Sequence, residues 1–148
     1  MLKLKIFVKN WGGMLKMVKI IQTKGKRKRA VARATLKEGI GKVRVNGQLL
    51  NLIEPKLARL KIREPLLLAG EVADKVNISV KVCGGGVMSQ ADAVRLAIAK
   101  SLVAHTKKLE KPFLEYDRQL LVADVRRKET VKPNRHGKAR SKRQKSYR

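Results

Sequence analysis

From Lys24 to Arg29 five of six residues are cations, broken only by Gly25, and Arg33 follows four positions on. The last 17 residues, Lys132 to Arg148, hold 8 more Lys/Arg and no acid. Side chains of this kind at this density neutralise phosphates and release their counterions, so the chemistry they suit is binding of a polyanion. A third feature is Gly84-Gly85-Gly86, between a strand-like and a helix-like stretch. Backbone amides in such a turn, with a helix N-terminus behind them, suit an anionic oxygen. The chain has no Gly-x-x-x-x-Gly-Lys-Ser/Thr string, and no Gly-x-Gly-x-x-Gly pattern fits after these glycines. Two readings of the triplet stay open: a tight connection, or a contact with an RNA backbone.

Other chemistry is poorly supplied. One cysteine, Cys83, permits neither an internal disulfide nor a multi-cysteine zinc site. The two histidines, His105 and His136, do not form a His-x-x-x-His pair, so no metal or other cofactor is expected. His105 ends an apolar helical stripe and reads as a boundary residue. Glu110, Glu115 and Asp117 cluster, but Lys107, Lys108 and Lys111 lie among them, which favours surface ion pairs over catalysis. No catalytic residue, enzymatic activity or small-molecule substrate is expected. Aromatic residues make up 3% of the chain, too few for a platform that stacks single-stranded bases.

The elements that must position these cations follow from charge and periodicity. Of 148 residues, 1–37 carry 12 Lys/Arg and no acid, 38–125 carry 14 Lys/Arg and 10 acids, and 126–148 carry 11 Lys/Arg and Glu129 alone. The whole has a formal charge of +26, a field that favours association with nucleic acid. The middle has the balance of one ordinary domain, and both ends are basic arms. We read residues 17–125 as a globular domain and 126–148 as an extended basic tail. With almost nothing apolar to bury, its segment Lys132 to Arg148 is expected to be disordered in isolation. Its last 17 residues could reach at most roughly 55–60 Å when extended. Residues 1–16 show strand period at Leu2, Leu4, Ile6 and Val8 and lack the features of a secretory signal. They are read as an extension or a start-site error, with Met17 as the native start; intact mass of the native protein tests this. No apolar run approaches the roughly 18 residues that span a bilayer, so no membrane partner is expected.

Inside the domain, Val18–Thr23, Ala30–Leu36 and Val43–Val45 read as strands of a basic antiparallel meander, with Asn46-Gly47 as a tight turn. Glu54-Pro55 and Glu64-Pro65 suit the first turns of two short helices. Val76–Cys83 alternates most cleanly of all. A long helix over about 90–108 follows, with Ser89 and Asp92 as a capping box and Ala91, Val94, Ile98 and Leu102 on its apolar face. Leu120–Ala123 reads as a late edge strand, and the core is expected to be aliphatic.

Four blocks now stand in order: Thr23 to Ala34, Asn46-Gly47, Gly84-Gly85-Gly86 before Gln90-Ala91-Asp92-Ala93, and Gly137 to Arg148. Together they resemble the S-nine family of small-subunit ribosomal proteins, and the Gln-Lys-Ser-Tyr-Arg ending resembles its archaeal and eukaryotic branch. The resemblance covers about Met17 to Arg148. It implies an α/β (α+β, two-layer) fold, a four-stranded sheet packed with helices like the second domain of ribosomal protein S five, plus the tail. It also implies a structural protein in the head of the small subunit, in the cytoplasm, one copy per ribosome, beside other head proteins. Lys24, Lys26, Arg27, Lys28, Arg29, Arg33 and Gly84, Gly85, Gly86 would contact small-subunit rRNA, as would Arg135, His136, Lys138, Arg140, Lys142 and Arg143 along the tail. Lys145, Tyr147 and Arg148 would approach the anticodon stem-loop of the P-site tRNA. The competing reading is a basic architectural DNA-binding protein, although no helix-turn-helix or zinc finger is recognisable.

Overall fold

A computed structural model describes residues 2–9, 15–133 and 139–140 of the chain, with side chains over 20–133 and 139–140. The strands are β1 (Leu2–Lys9), β2 (Leu15–Arg27), β3 (Ala30–Glu38), β4 (Val43–Val45), β5 (Gln48–Leu49) and β6 (Val76–Cys83). The helices are α1 (Lys56–Ala69), α2 (Glu71–Asp74), α3 (Val87–His105) and α4 (Glu110–Tyr116). The class is mixed α/β. One sheet runs in the order β1-β2-β3-β6-β4-β5, in which β4 and β6 are parallel and all other pairs antiparallel. Its middle is the expected four strands, β2-β3-β6-β4. The residue 2–9 stretch with strand period adds β1 at one edge, and the two-residue β5 adds the other.

Alternation decides which side chains enter the core. On β3, Ala30, Ala32, Ala34 and Leu36 are buried, and on β6 so are Val76, Ile78, Val80 and Val82. Small residues on β3 let a helix approach closely. α3 packs across β2, β3 and β6, and α1 in turn packs against α3. Helix α3 is therefore buried well beyond the predicted stripe, with Ala93, Leu96, Ala97 and Ala99 also inside. At Gly25 of β2 a Cβ atom would lie 2.1 Å from the Ala93 carbonyl oxygen, so this strand-helix contact requires glycine. Two residues earlier, the Thr23 hydroxyl donates to the Ala97 carbonyl at 2.8 Å.

Several expectations need correction. The meander stops at β3, because β6 inserts between β3 and β4. Asn77 on β6 arranges this: its Oδ1 accepts from the backbone N–H of Ile40 at 3.1 Å and of Lys42 at 2.9 Å, folding the 39–42 turn onto β6. The Asn46-Gly47 turn is as read, with φ positive at both residues. Its asparagine also extends the ladder, accepting from Val82 N and donating to Val82 O. The second proline does not start a helix. Pro65 is buried inside α1, which runs unbroken from Lys56 to Ala69. Gly86, not Ser89, caps α3, and no side chain serves the cap. Asp92 instead accepts from Lys61 Nζ on α1 at 2.9 Å. Leu120–Ala123 forms no strand; Leu120 ends a 3-10 turn and is fully buried. The core has one aromatic member among the described residues, Phe113 of α4, with no exposed surface.

Candidate nucleic-acid interface

The basic run of β2 and β3 is divided by the pleat, since successive side chains point to opposite faces. Lys24 and Lys26 are exposed on the face away from the helices, with Arg33 of β3 beside Lys24. Lys28 and Arg29 form the exposed two-residue tip of the β2–β3 hairpin, Lys28 at φ 53°. Arg27 points the other way, and its side chain is only 18% exposed. It lies 3.2 Å from Asp124 and 3.9 Å from Asp92, and it donates to the Arg126 carbonyl at 3.4 Å. Of the predicted contacts in this run, Arg27 is thus engaged by protein carboxylates.

Asp124 is the centre of that knot. It accepts from the backbone and the guanidinium of Arg126, at 2.8 Å and 2.7 Å, and forms an ion pair with Arg27. The Arg126 hydrogen bonds, helped by the Arg27 charge, hold its carboxyl down at about 2. The same pairing raises the Arg126 guanidinium above its ordinary value. A second cation, Arg95 of α3, ties Glu64 of α1 at 2.5 Å and Asp117 at 3.0 Å. Asp117 was expected to pair with neighbouring lysines; its partner is an arginine 22 residues earlier, and it also caps the turn by accepting from Gln119 N. His105 is half-buried at the end of α3, 3.0 Å from the Thr106 hydroxyl.

The glycine triplet joins β6 to α3 against the hairpin tip. Gly84 and Gly85 both have positive φ, and a Cβ at Gly84 would lie 2.7 Å from the Arg29 carbonyl oxygen. Gln90 reaches back to the Gly84 carbonyl at 3.2 Å. Steric need accounts for Gly84 and Gly85, whereas Gly86 at the cap faces open space. The exposed Cys83 stands beside this loop.

Sequence reasoning missed most of one basic surface. The face of the sheet opposite the helices holds a depression of about 910 Å³ that gathers Lys24, Arg33, Lys37, Lys42, Arg44 and Lys81, and no carboxylate lines it among the described residues. Lys37, Lys42, Arg44 and Lys81 come from β3, the turn after it, β4 and β6, so no local run announces them. The available signal was alternation: Arg44 sits between Val43 and Val45, Lys81 between Val80 and Val82, and Lys37 follows Leu36. A cation flanked by core residues must face away from the core.

Beyond Asp124 the chain is irregular and exposed through Pro133. Glu129 accepts from Arg140 Nε at 2.9 Å, a bond that lowers the carboxyl pKa and raises that of the guanidinium. The other predicted tail contacts, Arg135, His136, Lys138, Lys142, Arg143, Lys145, Tyr147 and Arg148, lie outside the described residues. Among the described residues no three His, Cys, Asp or Glu side chains gather as a metal site, and no helix is long and apolar enough to cross a membrane.

Comparison with known proteins adds a family match. Residues 25–148 match the family described as ribosomal protein S9/S16. The small ribosomal subunit protein uS9 of Methanococcus maripaludis strain C7 is 50% identical over 134 residues, covering 88% of this chain and all of the relative. Its counterpart in Methanococcus vannielii is 48% identical over the same coverage.

Proposed function

As the chain belongs to the ribosomal protein S9/S16 family, we propose that it is a structural, non-enzymatic constituent of the small ribosomal subunit and binds small-subunit rRNA in the head. The hairpin tip, the glycine loop and the tail make backbone contacts with the RNA. Lys145, Tyr147 and Arg148 carry the tail's end to the P-site tRNA. The observation that supports this best is the separation of charge in the folded domain. Asp92, Asp117, Asp124 and Glu64 are engaged by Arg27, Lys61, Arg95 and Arg126 on the helix side. The tip and the open sheet face present cations with no carboxylate lining the depression between them. Such a surface contacts phosphates and leaves specificity to RNA shape.

Sedimentation of the native protein from a nuclease-controlled lysate tests the reading. The expected result is co-migration with the small subunit at one copy per particle, unaffected by DNase. Release by DNase from a heavier complex would overturn it in favour of architectural DNA binding.

A further inference from the structure

We propose that the open face of the sheet docks the minor-groove side of an A-form RNA helix, at a site separate from the hairpin tip and the tail. The proposal rests on the reading of the chain as an rRNA-binding protein and specifies what one surface of it recognises.

The strand register arranges the open face in three rows. Lys24, Arg33 and Lys81 face one another across β2, β3 and β6 and form the first row. Gln22, Thr35 and Ser79 form the next, with Arg44 beyond Ser79 on β4. Lys37 lies beside Asn77 in the third row, and Lys42 is tied to Asn77 by the hydrogen bond described above. A strip of hydroxyl and amide groups from Gln22, Thr35 and Ser79, ended by Arg44, therefore runs between two rows that hold the other cations. Four residues along a strand separate those rows, roughly 13 Å at about 3.3 Å per residue.

That pattern discriminates among nucleic acids. The minor groove of A-form RNA is wide and shallow, with 2′-hydroxyls along it and phosphates at its rims. Hydroxyl and amide groups at the centre suit the 2′-hydroxyls, which act as both donors and acceptors. Cations at either side suit the two phosphate rims. The B-form minor groove is only about 6 Å wide, and the major groove about 8.5 Å deep, a depth that a broad sheet face with a depression in it cannot enter. Single-stranded bases would need a stacking surface, and Gln22, Thr35, Ser79 and Asn77 offer no aromatic ring.

The test compares the full-length protein with a variant carrying Lys37→Gln, Lys42→Gln and Lys81→Gln, all exposed positions of the two outer rows. Unchanged circular dichroism and Tm show that the fold is kept. The probes are small-subunit rRNA, a short blunt RNA duplex and a DNA duplex of the same sequence. The wild type is expected to favour the RNA duplex over the DNA duplex. For the variant, the slope of log K against log salt on the RNA duplex should be shallower by about 2.7, three phosphate contacts at roughly 0.9 each. Thr35→Val with Ser79→Ala should leave the slope alone and bring the RNA-to-DNA affinity ratio toward one. An unchanged slope in the triple variant, or equal wild-type affinity for both duplexes, would overturn the proposal while rRNA binding stands. Normal RNA binding by the triple variant combined with exclusion from the small subunit would identify the face as a protein contact, which also overturns it. Failure of the wild type to bind rRNA would remove the broader reading as well.

Discussion

Among the cations of the β2–β3 hairpin, Arg27 differs from its neighbours in what it touches rather than in its chemistry. Reversing its charge would set it against Asp124 and Asp92 and disturb the domain, so Lys28 and Arg29 are the cleaner positions for testing RNA contact by the hairpin. Nothing in the string Lys26-Arg27-Lys28 distinguishes the middle residue until the strand phase is known. The partners of Arg27 lie 65 and 97 positions later, and a local reading has no access to them. The Asp124 knot has a titration signature. Its carboxyl is held at about 2 against an ordinary 3.8, so the folded state favours the ionised form. A depressed pKa contributes stability above the unfolded value and loses it as pH falls through the folded one. Asp124→Asn is therefore expected to lower Tm near neutral pH by an amount that stays constant down to about pH 4. The gap should then close between about pH 4 and pH 2, and thermal melts of both proteins across that range check it. A gap that persists unchanged below that window would mean that Asp124 acts only through shape.

Single elements were legible where their signal is local. The Asn46-Gly47 turn, the alternation of Val76–Cys83 and the existence of a long helix after the glycines all follow from neighbouring residues. Strand order was not legible, because β6 pairs with β3 and β4 across 35 to 52 positions of sequence, and the Asn77 side chain that braces the 39–42 turn lies 35 residues beyond it. The capping box at Ser89 failed for a related reason: the helix starts earlier, at the glycines, and Asp92 is drawn to α1 instead. Pro65 misled because proline is usually a helix starter, while here a buried site inside α1 accepts it. Four of the six cations in the open-face depression, Lys37, Lys42, Arg44 and Lys81, form no local run, and for Lys37, Arg44 and Lys81 strand alternation alone pointed to a shared face. The Asn77 contacts with the turn can be tested through stability. Asn77→Ala removes the acceptor of two backbone N–H groups at a partly solvated turn. At about 0.5–1.5 kcal/mol per hydrogen bond, the expected loss is about 1–3 kcal/mol. Urea unfolding would report it as a lower midpoint, and a midpoint matching the wild type would show that water replaces the side chain without penalty.

Considered as one body, the chain pairs five of the ten acids of residues 38–125 with cations and holds a single acid, Glu129, in residues 126–148. The two parts should fail in different ways. Deleting Tyr147 and Arg148 leaves every described core residue in place, since the core ends at Leu120. The shortened protein is expected to fold and to enter the small subunit, but to retain P-site tRNA less well. Dissociation rates of tRNA from purified subunits measure this, and identical rates would remove the proposed tail contact. The open sheet face adds a kinetic consequence. A domain that gathers six cations and no carboxylate in one open depression, with several carboxylates paired on the helix side, turns in the field of a polyanion before the two touch. It should meet RNA with the sheet already leading, so fewer encounters are wasted on wrong orientations. Because salt screens that field beyond about 10 Å at 0.1 M, the advantage belongs to the approach and fades as ionic strength rises.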